Sequence, residues 1–485
     1  MHDAVIIGAG HNGLVAAAYL ARAGLDVAVL ERRDVVGGAC VTEELWPGVR
    51  ASPGAYTLSL LRRRIIDDLD LPAHGLRVEV HEPYLFAPQP DGRRVVTWSS
   101  RERTHAQLTE EWSRKDADAY ATWSRRWEAA AERARELMLE PADRERWLAA
   151  VGPEILDGSI ADDLAGIPSP EVRVPFAIQG LIGTLAAPED PGTAFVGFFH
   201  DLGEATDPPG AWGFAMGGMG AVTRALRSAA EAAGATVRVE AEVARVLVSD
   251  DGRAEGVVLA DGSELRARVV LSNADPVRTA RLAGLDEPSG WQNAGPVVKV
   301  MVQLDGLPDF PAWPGPEPWS GTIDIGFSLE DLSAAAADAR AGRPAQRPWM
   351  EVACQTAADA SLAPPGRHVV SMFAQCFPGD VDADVAADLV IARFAEVCPS
   401  FPDRIVDRLA LGPRELEARF GLTGGHIFHG EMLGSQLLER RFGPRRFGGV
   451  DGLYLAGSGA HPGGAVTGAP GYLAAAAVLE DRAPA

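Results

Sequence analysis

The opening of the chain contains two short apolar runs with a helical pattern between them. Residues 4–7 and 26–30 are the apolar runs, and residues 14–23 carry the spacing of a helix. Gly24 follows that helical pattern and is a common helix-ending residue. Short apolar runs joined by a helix are typical of buried parallel strands. The pattern therefore predicts a strand–helix–strand unit at the start of the chain.

Three glycines lie where the first predicted strand turns into the helix. Gly8 allows a tight turn, Gly10 lets a pyrophosphate approach the backbone, and Gly13 lets helix and strand pack closely. The start of the helix offers unpaired N–H groups to phosphate oxygens. Glu31 ends the second run, 18 positions after Gly13, where a carboxylate can accept hydrogen bonds from a ribose. These features together predict a dinucleotide-binding site.

Two further glycine-rich stretches favour FAD over NAD as the dinucleotide. Gly37 and Gly38 follow closely after Glu31, a position that leaves room for the pyrophosphate and the flavin end of FAD. Residues 452–479 read as a strand, a glycine-rich loop and an alanine-rich helix. A second helix N-terminus so far away in sequence suits an extended FAD molecule better than NAD alone. We therefore expect non-covalently bound FAD.

The middle of the chain predicts interleaved segments. Residues 101–150 have helical periodicity with charged faces and aromatic anchors, which indicates a helical insertion. In residues 291–419, strands alternate with helices, which indicates a second sheet. Between these two blocks, residues 217–276 predict a helix followed by one strand, whose apolar positions are Val237, Val239, Val243 and Val246.

Composition excludes several classes of function. The 485 residues carry 45 basic and 67 acidic side chains, a formal net charge of −22, which argues against nucleic-acid binding and against attachment to anionic lipid. The apolar runs are shorter than the roughly 20 residues that cross a bilayer, so we expect a cytoplasmic protein. Four widely spaced cysteines form no C-x-x-C pair, which excludes a dithiol redox centre and predicts no metal site.

Several stretches together resemble one known family. The chain resembles the phytoene-desaturase-like flavoproteins, which include carotenoid desaturases and isomerases, within the amine-oxidase-type FAD superfamily. Within that family it is most similar to the subgroup called pyridine nucleotide-disulphide oxidoreductase domain-containing protein 2. The matching stretches run from the beginning to the end of the chain: GAGHNGLVAAAYLARAG, VVGGACVTEE, WGFAMGGMGAVTRAL, LSNADP, LAPPGRHVVSMFAQ, GLTGGHIFHGE and GLYLAGSGAHPGGAVTGAPG.

The resemblance implies an α/β fold of two interleaved domains. A Rossmann-type, glutathione-reductase-like FAD-binding domain is expected from residues 1–75, 210–290 and 420–485. A substrate-binding α+β domain with a helical cap is expected from residues 76–209 and 291–419. The sheet of this second domain would cover the isoalloxazine ring of the flavin.

The resemblance also implies an FAD-dependent oxidoreductase. The expected reaction is dehydrogenation of a largely apolar organic substrate by hydride transfer to flavin N5, with oxygen, a quinone or another external electron acceptor. Two alternatives stay open: a redox-neutral flavin-dependent isomerase of a polyene, and a non-catalytic, chaperone-like FAD-binding protein. Only one nucleotide-binding fingerprint occurs in the sequence, so a second stable NAD(P)H domain is not expected.

Candidate site residues follow from the glycine-rich motifs and from the resemblance. The family implies that the residue matching Val243 contacts adenine through its backbone, and that His461 and His429 lie near the flavin. Those two histidines are the catalytic candidates, although either could simply order a loop. Trp212, Phe214 and His426 are the candidates for the substrate pocket. The cofactor-binding candidates are Gly8, Gly10, His11, Asn12, Gly13, Glu31, Arg32, Gly37, Gly38, Val243, Gly457, Ser458 and Val466.

Overall fold

The computed structural model describes residues 1–482, so the last three residues of the predicted segment 420–485 lie outside the described part. The strands are β1 (His2–Ile7), β2 (Val27–Leu30), β3 (Glu43–Trp46), β4 (Val49–Ala51), β5 (Val78–Val80), β6 (Leu85–Pro88), β7 (Arg94–Thr97), β8 (Gly213–Ala215), β9 (Thr236–Arg238), β10 (Val243–Val248), β11 (Ala254–Leu259), β12 (Glu264–Ser272), β13 (Val298–Leu304), β14 (Thr322–Ile325), β15 (Met350–Cys354), β16 (His368–Ala374), β17 (Ile405–Leu411) and β18 (Leu453–Leu455). The α-helices are α1 (His11–Arg22), α2 (Arg63–Asp68), α3 (Arg101–Glu111), α4 (Arg114–Ala134), α5 (Arg144–Val151), α6 (Pro153–Leu156), α7 (Ile160–Asp163), α8 (Pro170–Gln179), α9 (Thr193–His200), α10 (Gly220–Ala232), α11 (Pro276–Ala283), α12 (Leu329–Arg340), α13 (Gln355–Ala358), α14 (Ala383–Ala395), α15 (Pro413–Phe420) and α16 (Ala469–Arg482).

The first sheet, which we call the nucleotide sheet, has seven strands. Its order is β10-β11-β12-β1-β2-β9, and β18 also pairs with β12. The strands β18, β12, β1, β2 and β9 are parallel, whereas β10, β11 and β12 form an antiparallel meander. Helices α1, α10 and α16 pack together on this sheet. The long parallel part of the sheet places the ends of β1 and β2 beside the start of α1, as the glycine pattern predicts.

The sequence prediction of one strand through Val237 and Val246 is wrong. The structure has two strands there, and they lie at opposite edges of the nucleotide sheet: β9 pairs with β2, and β10 pairs with β11. The chain leaves the first edge at Glu240, whose φ is +52°. A left-handed backbone at a non-glycine residue interrupts an extended strand, and the apolar spacing carries no sign of this break.

The second sheet, which we call the substrate sheet, also has seven strands, in the order β17-β13-β16-β15-β14-β6-β7. Only the β14–β6 pair is parallel; the other neighbours are antiparallel. The helical segment predicted over residues 101–150 corresponds to α3, α4 and α5, which pack with α8 and α9 in one large apolar core. Within residues 1–482, no helix combines the length and apolar character needed to cross a membrane.

Candidate functional site

A single cavity of about 440 Å³ extends from the β1–α1 turn to the face of the substrate sheet. The turn contributes Gly8 and Gly10 to its wall, and the substrate sheet contributes Lys299 and Glu351. The two sheets therefore share one continuous space, which has a nucleotide-binding pattern at one end.

The glycine turn is so tight that side chains do not fit. Gly8 has a φ of +89°, and α1 begins directly after Gly10. A Cβ atom at Gly13 would lie 2.3 Å from the carbonyl oxygen of Gly8, which real Cβ atoms do not tolerate. The helix begins at His11, earlier than the apolar pattern predicts, so its free N–H groups point out of this turn. The turn therefore provides a backbone surface for phosphate groups.

Glu31 follows β2 and is fixed beside this turn. Its carboxylate accepts hydrogen bonds from the backbone N–H groups of Ala9, at 2.9 Å, and Arg33, at 3.0 Å. Only 5% of the residue is exposed, and it lines the cavity. Each carboxylate oxygen can accept a second hydrogen bond, so Glu31 remains able to bind a ribose.

The C-terminal glycine loop lies against the same turn. Asn12 donates to Ser458 Oγ over 3.3 Å, across 446 residues of sequence. Behind the loop, the buried Arg441 donates to the backbone carbonyl oxygens of Ser458 and Phe428, at 2.6 and 2.7 Å. Sequence analysis did not single out Arg441, because an arginine outside a motif resembles a surface residue. It joins the loop to the segment that carries His429.

Three polar side-chain atoms at the cavity wall are buried without a hydrogen-bond partner within the described residues. They are His11 Nε2, Asn12 Oδ1 and His429 Nδ1. Burial lowers the pKa of His11 and His429 to about 4, so both rings are neutral near pH 7. Buried polar atoms are nearly always hydrogen-bonded, and unpartnered ones call for an explanation such as a bound ligand. The donor set therefore fits a polar cofactor extended along the turn and the loop.

Most predicted cofactor residues come together at this end of the cavity. Gly13 and Gly457 are not in the wall but directly behind it: a Cβ atom at Gly457 would lie 2.6 Å from the carbonyl oxygen of Asn273. The candidates that line the cavity are Gly8, Gly10, His11, Asn12, Glu31, Arg32, Gly37, Gly38, Val243, Ser458 and Val466.

The other predicted residues divide into two groups. Trp212 and His429 line the cavity, whereas Phe214, His426 and His461 do not. Phe214 packs against the ring of His81 at 4.1 Å. His426 Nδ1 accepts a hydrogen bond from the backbone N–H of Phe428. Burial, with a smaller contribution from the Arg441 charge, lowers the pKa of His461 to about 4. Catalytic and substrate-binding roles for these residues stay predictions.

Sequence analysis missed a row of side chains across the substrate sheet. Lys299 on β13 pairs in register with Phe373 on β16, which pairs with Glu351 on β15, which pairs with Asp324 on β14. Residues directly opposite one another share one face of a sheet. Lys299, Phe373 and Glu351 line the cavity, and Asp324 lies beyond them at 1% exposure. The available signal was a single charge inside each of three apolar strands.

This row forms a compact polar cluster with two further residues. Glu351 accepts hydrogen bonds from the Tyr56 hydroxyl, at 3.0 Å, and from Gln179 Nε2, at 2.9 Å. The Lys299 Nζ atom lies 3.4 Å from the centroid of the Tyr56 ring and has no hydrogen-bond acceptor within residues 1–482. Around the cluster the wall is mainly apolar, formed by Leu85, Phe176, Ile182, Trp212, Val297, Leu416 and Phe428. Phe176 and Ile182 belong to the apolar segment 176–187, whereas residues 195–199 are buried in the helical core.

Comparisons with known sequences agree with this arrangement. A model of the NAD(P)-binding Rossmann-like domain matches residues 6–69. Pyridine nucleotide-disulfide oxidoreductase domain-containing protein 2 of Mus musculus is 37% identical, and the match covers 99% of this chain and 94% of that protein. An uncharacterized protein of Mycobacterium tuberculosis is 32% identical over 98% of this chain and 97% of its own length. Hydroxyneurosporene desaturase of Rhodobacter capsulatus is 26% identical over 99% and 98%, respectively.

Solved structures share the fold at low sequence identity. An oxidoreductase from Methanosarcina mazei is 18% identical and matches 99% of this chain and 100% of its own with a TM-score of 0.63. Cyclohexylamine oxidase from Brevibacterium oxydans is 16% identical and matches 99% of both chains with a TM-score of 0.61. The predicted α/β fold with a Rossmann-type domain and the predicted resemblance are therefore confirmed. The chain belongs to the family of pyridine nucleotide-disulfide oxidoreductase domain-containing protein 2, flavin-type oxidoreductases with desaturase and amine oxidase relatives.

Proposed function

We propose that this protein is an FAD-dependent dehydrogenase of a largely apolar organic substrate. The observation that carries the proposal is the continuous cavity, which joins the dinucleotide-binding turn to an apolar chamber under the substrate sheet. A cofactor and an organic molecule can meet there away from water, which is the protein's main contribution to flavin chemistry.

The residues at the turn are suited to hold FAD without a covalent bond. Glu31 provides acceptors for the ribose, the glycine turn and the start of α1 provide backbone N–H groups for the pyrophosphate, and the loop at Ser458 closes the other side. When bound, FAD supplies a two-electron acceptor for hydride from a substrate C–H bond. Cys40 also lines the cavity, and burial raises the pKa of its thiol to about 12, which disfavours thiolate chemistry.

The chamber favours a neutral or cationic substrate that is mostly apolar. Its wall combines aromatic and aliphatic side chains with a few polar groups, as is common for pockets that orient organic molecules. The net charge of −22 opposes the approach of a multiply anionic compound. Two relatives support an apolar substrate by name: a phytoene desaturase of Cercospora nicotianae and a limonene dehydrogenase of Castellaniella defragrans.

Electrons leave through an external acceptor in this proposal. The four cysteines, Cys40, Cys354, Cys376 and Cys398, are all buried and unpaired, which provides no dithiol route. Oxygen, a quinone or a transiently bound carrier would then reoxidise the cofactor.

The test is anaerobic mixing of the purified holoprotein with phytoene, hydroxyneurosporene, limonene and cyclohexylamine, followed by the flavin absorbance. Bleaching by at least one compound, with formation of its dehydrogenated product, is the expected result. Product formation only after prior chemical reduction of the flavin would indicate the isomerase instead. Bound compound without bleaching or product would indicate a binding protein. Glu255→Ala, an exposed carboxylate on β11, is the matched control and should behave as wild type.

A further inference from the structure

The polar cluster under the substrate sheet contains two carboxyl groups side by side. Asp324 and Glu351 are register partners on the neighbouring antiparallel strands β14 and β15. Glu351 is part of the cavity wall, and Asp324 is behind it. The pair therefore connects the buried sheet to the space where a substrate would bind.

The hydrogen bonds of the two carboxyl groups differ. Both oxygens of Glu351 accept a hydrogen bond, one from Tyr56 and one from Gln179. Neither oxygen of Asp324 has a partner within the described residues. An ionised carboxylate that is fully buried and unpartnered is costly, whereas its neutral, protonated form is much less so. Asp324 is thus the member of the pair that is suited to keep a proton.

The charges around the pair lead to the same conclusion. The titratable groups that face it are Lys299 from β13 and the Tyr56 hydroxyl; Gln179 from α8 is neutral. With both carboxylates and the ammonium ionised, the cluster carries one net negative charge, and one added proton makes it neutral. Burial raises the pKa of Asp324 well above its usual range, and the neighbouring Glu351 carboxylate adds to the rise.

The pKa values of the other two charged groups are displaced in the same sense, toward the neutral form. Burial also raises the pKa of Glu351, and hydrogen bonds from Gln179 and Tyr56 limit that rise. Burial lowers the pKa of Lys299 well below its usual range. Each group in the cluster can therefore exchange a proton at a smaller cost than an ordinary surface residue.

We propose that Asp324 and Glu351 form a carboxyl pair that shares one exchangeable proton, and that Glu351 accepts the proton that leaves the substrate. This inference rests on the proposed function. In a dehydrogenation the substrate loses one hydrogen with two electrons to the bound flavin and a second hydrogen as a proton. A C–H bond breaks as a carboxyl O–H bond forms on Glu351, and the electron pair left on carbon becomes part of the new double bond.

Glu351 is preferred to the other titratable residues of the wall. His429 has a pKa lowered to about 4 and lies at the cofactor end of the cavity, beside the glycine turn. Asp201 also lines the cavity, and burial raises its pKa to about 7, but it has no carboxyl partner and lies next to the helical core. Glu351 alone combines a place in the wall, a paired carboxyl group and a nearby ammonium group.

The shared proton can be tested on the holoprotein without a substrate, by infrared titration of protonated carboxyl groups. The wild type should show one such group from the pair near neutral pH. Asp324→Asn should lose it, because Glu351 then faces Lys299 without a competing carboxylate. Glu351→Gln should keep it but titrate at lower pH, since the neighbouring negative charge is gone. Glu431→Gln is the matched control: it removes another buried carboxyl group, with a pKa raised to about 7, and should leave the pair's signal unchanged.

Two infrared results would overturn the pair: both carboxyl groups ionised in the wild type near neutral pH, or a titration of Asp324 that Glu351→Gln does not move. The acceptor role is tested by flavin bleaching with limonene and phytoene. Glu351→Gln should slow it by about 100-fold or more while FAD stays bound. Bleaching at the wild-type rate in Glu351→Gln would contradict the role. If no compound bleached wild-type flavin, the proposed function and the acceptor role would both fail, whereas the infrared result would still decide the pair.

Discussion

The two ends of the cavity are built by different means. At the nucleotide end, the contacts come mainly from the backbone: a glycine turn, a helix start and a carboxylate held by two amides. At the substrate end, the strands are ordinary, and the specific features are three buried charges on one sheet face. The nucleotide end should therefore be sensitive to side-chain size, and the substrate end to charge. Substitutions at the two ends should separate cofactor binding from chemistry.

The largest effect is expected from Gly13→Ala. The new methyl group would lie 2.3 Å from the Gly8 carbonyl oxygen, so the turn must move. Overpacking of this kind costs about 1–3 kcal/mol in the free energy of unfolding. The displaced turn should no longer bind FAD in stoichiometric amount. Absorbance of the purified variant and denaturant unfolding measure the two effects, and Gly166→Ala, which has open space around it, is the control. A yellow Gly13→Ala protein of normal stability would contradict the account of the turn.

Glu31→Ala should have the next largest effect. Loss of charge-assisted hydrogen bonds should weaken FAD binding by about 2–3 kcal/mol, or roughly 30- to 150-fold. Removal of the carboxylate also frees the Ala9 and Arg33 amides that it fixes. Fluorescence titration of the apoprotein with FAD gives the affinity. An unchanged dissociation constant would mean that the ribose is held by another residue.

A smaller effect, at the substrate end, should distinguish Trp212 from Phe214. Trp212→Ala removes a side chain of the cavity wall and should lower kcat/KM by roughly tenfold, about 1.4 kcal/mol, with an unchanged FAD spectrum. Phe214 packs against His81 outside the wall, so Phe214→Leu should lower stability and leave KM unchanged. Steady-state kinetics with a compound that bleaches the flavin provides the measurement. Equal kinetic effects in both variants would show that the wall is assigned wrongly.

The smallest effect is a pH dependence of stability from His461. Its folded pKa of about 4 lies below the unfolded value of about 6.5, so between these pH values the unfolded chain binds a proton that the folded chain does not. This histidine therefore lowers wild-type stability as the pH falls below about 6.5. His461→Asn lacks that contribution, and the stability gap to wild type should narrow by about 1 kcal/mol between about pH 7.5 and 5.5. Urea unfolding at both pH values measures the gap; a constant gap would contradict the burial of an unprotonated His461.

The sequence was most informative where structure depends on neighbours along the chain. Gly8, Gly13 and Glu31 lie within one strand–helix–strand unit, and each has a local physical reason for its place. The partnership of Lys299, Glu351 and Asp324 depends on strand register across β13, β16, β15 and β14. A single charge in an apolar strand gives no indication of which residue lies opposite.

Two other differences have the same origin. The break at Glu240 follows from the need to cross from one sheet edge to the other, which apolar spacing does not encode. The sequence places Trp212 and Phe214 together, but Trp212 precedes β8 whereas Phe214 lies within it, and only the former reaches the cavity. Long-range pairing decided both outcomes.

The most direct test of the whole account is the flavin content of the purified protein before and after denaturation. The account predicts a yellow protein with one FAD per chain, all of it released into the supernatant when the polypeptide is precipitated with acid. A colourless protein that takes up no FAD on reconstitution, or flavin that stays with the precipitated chain, would contradict the central claim that the cavity holds non-covalently bound FAD.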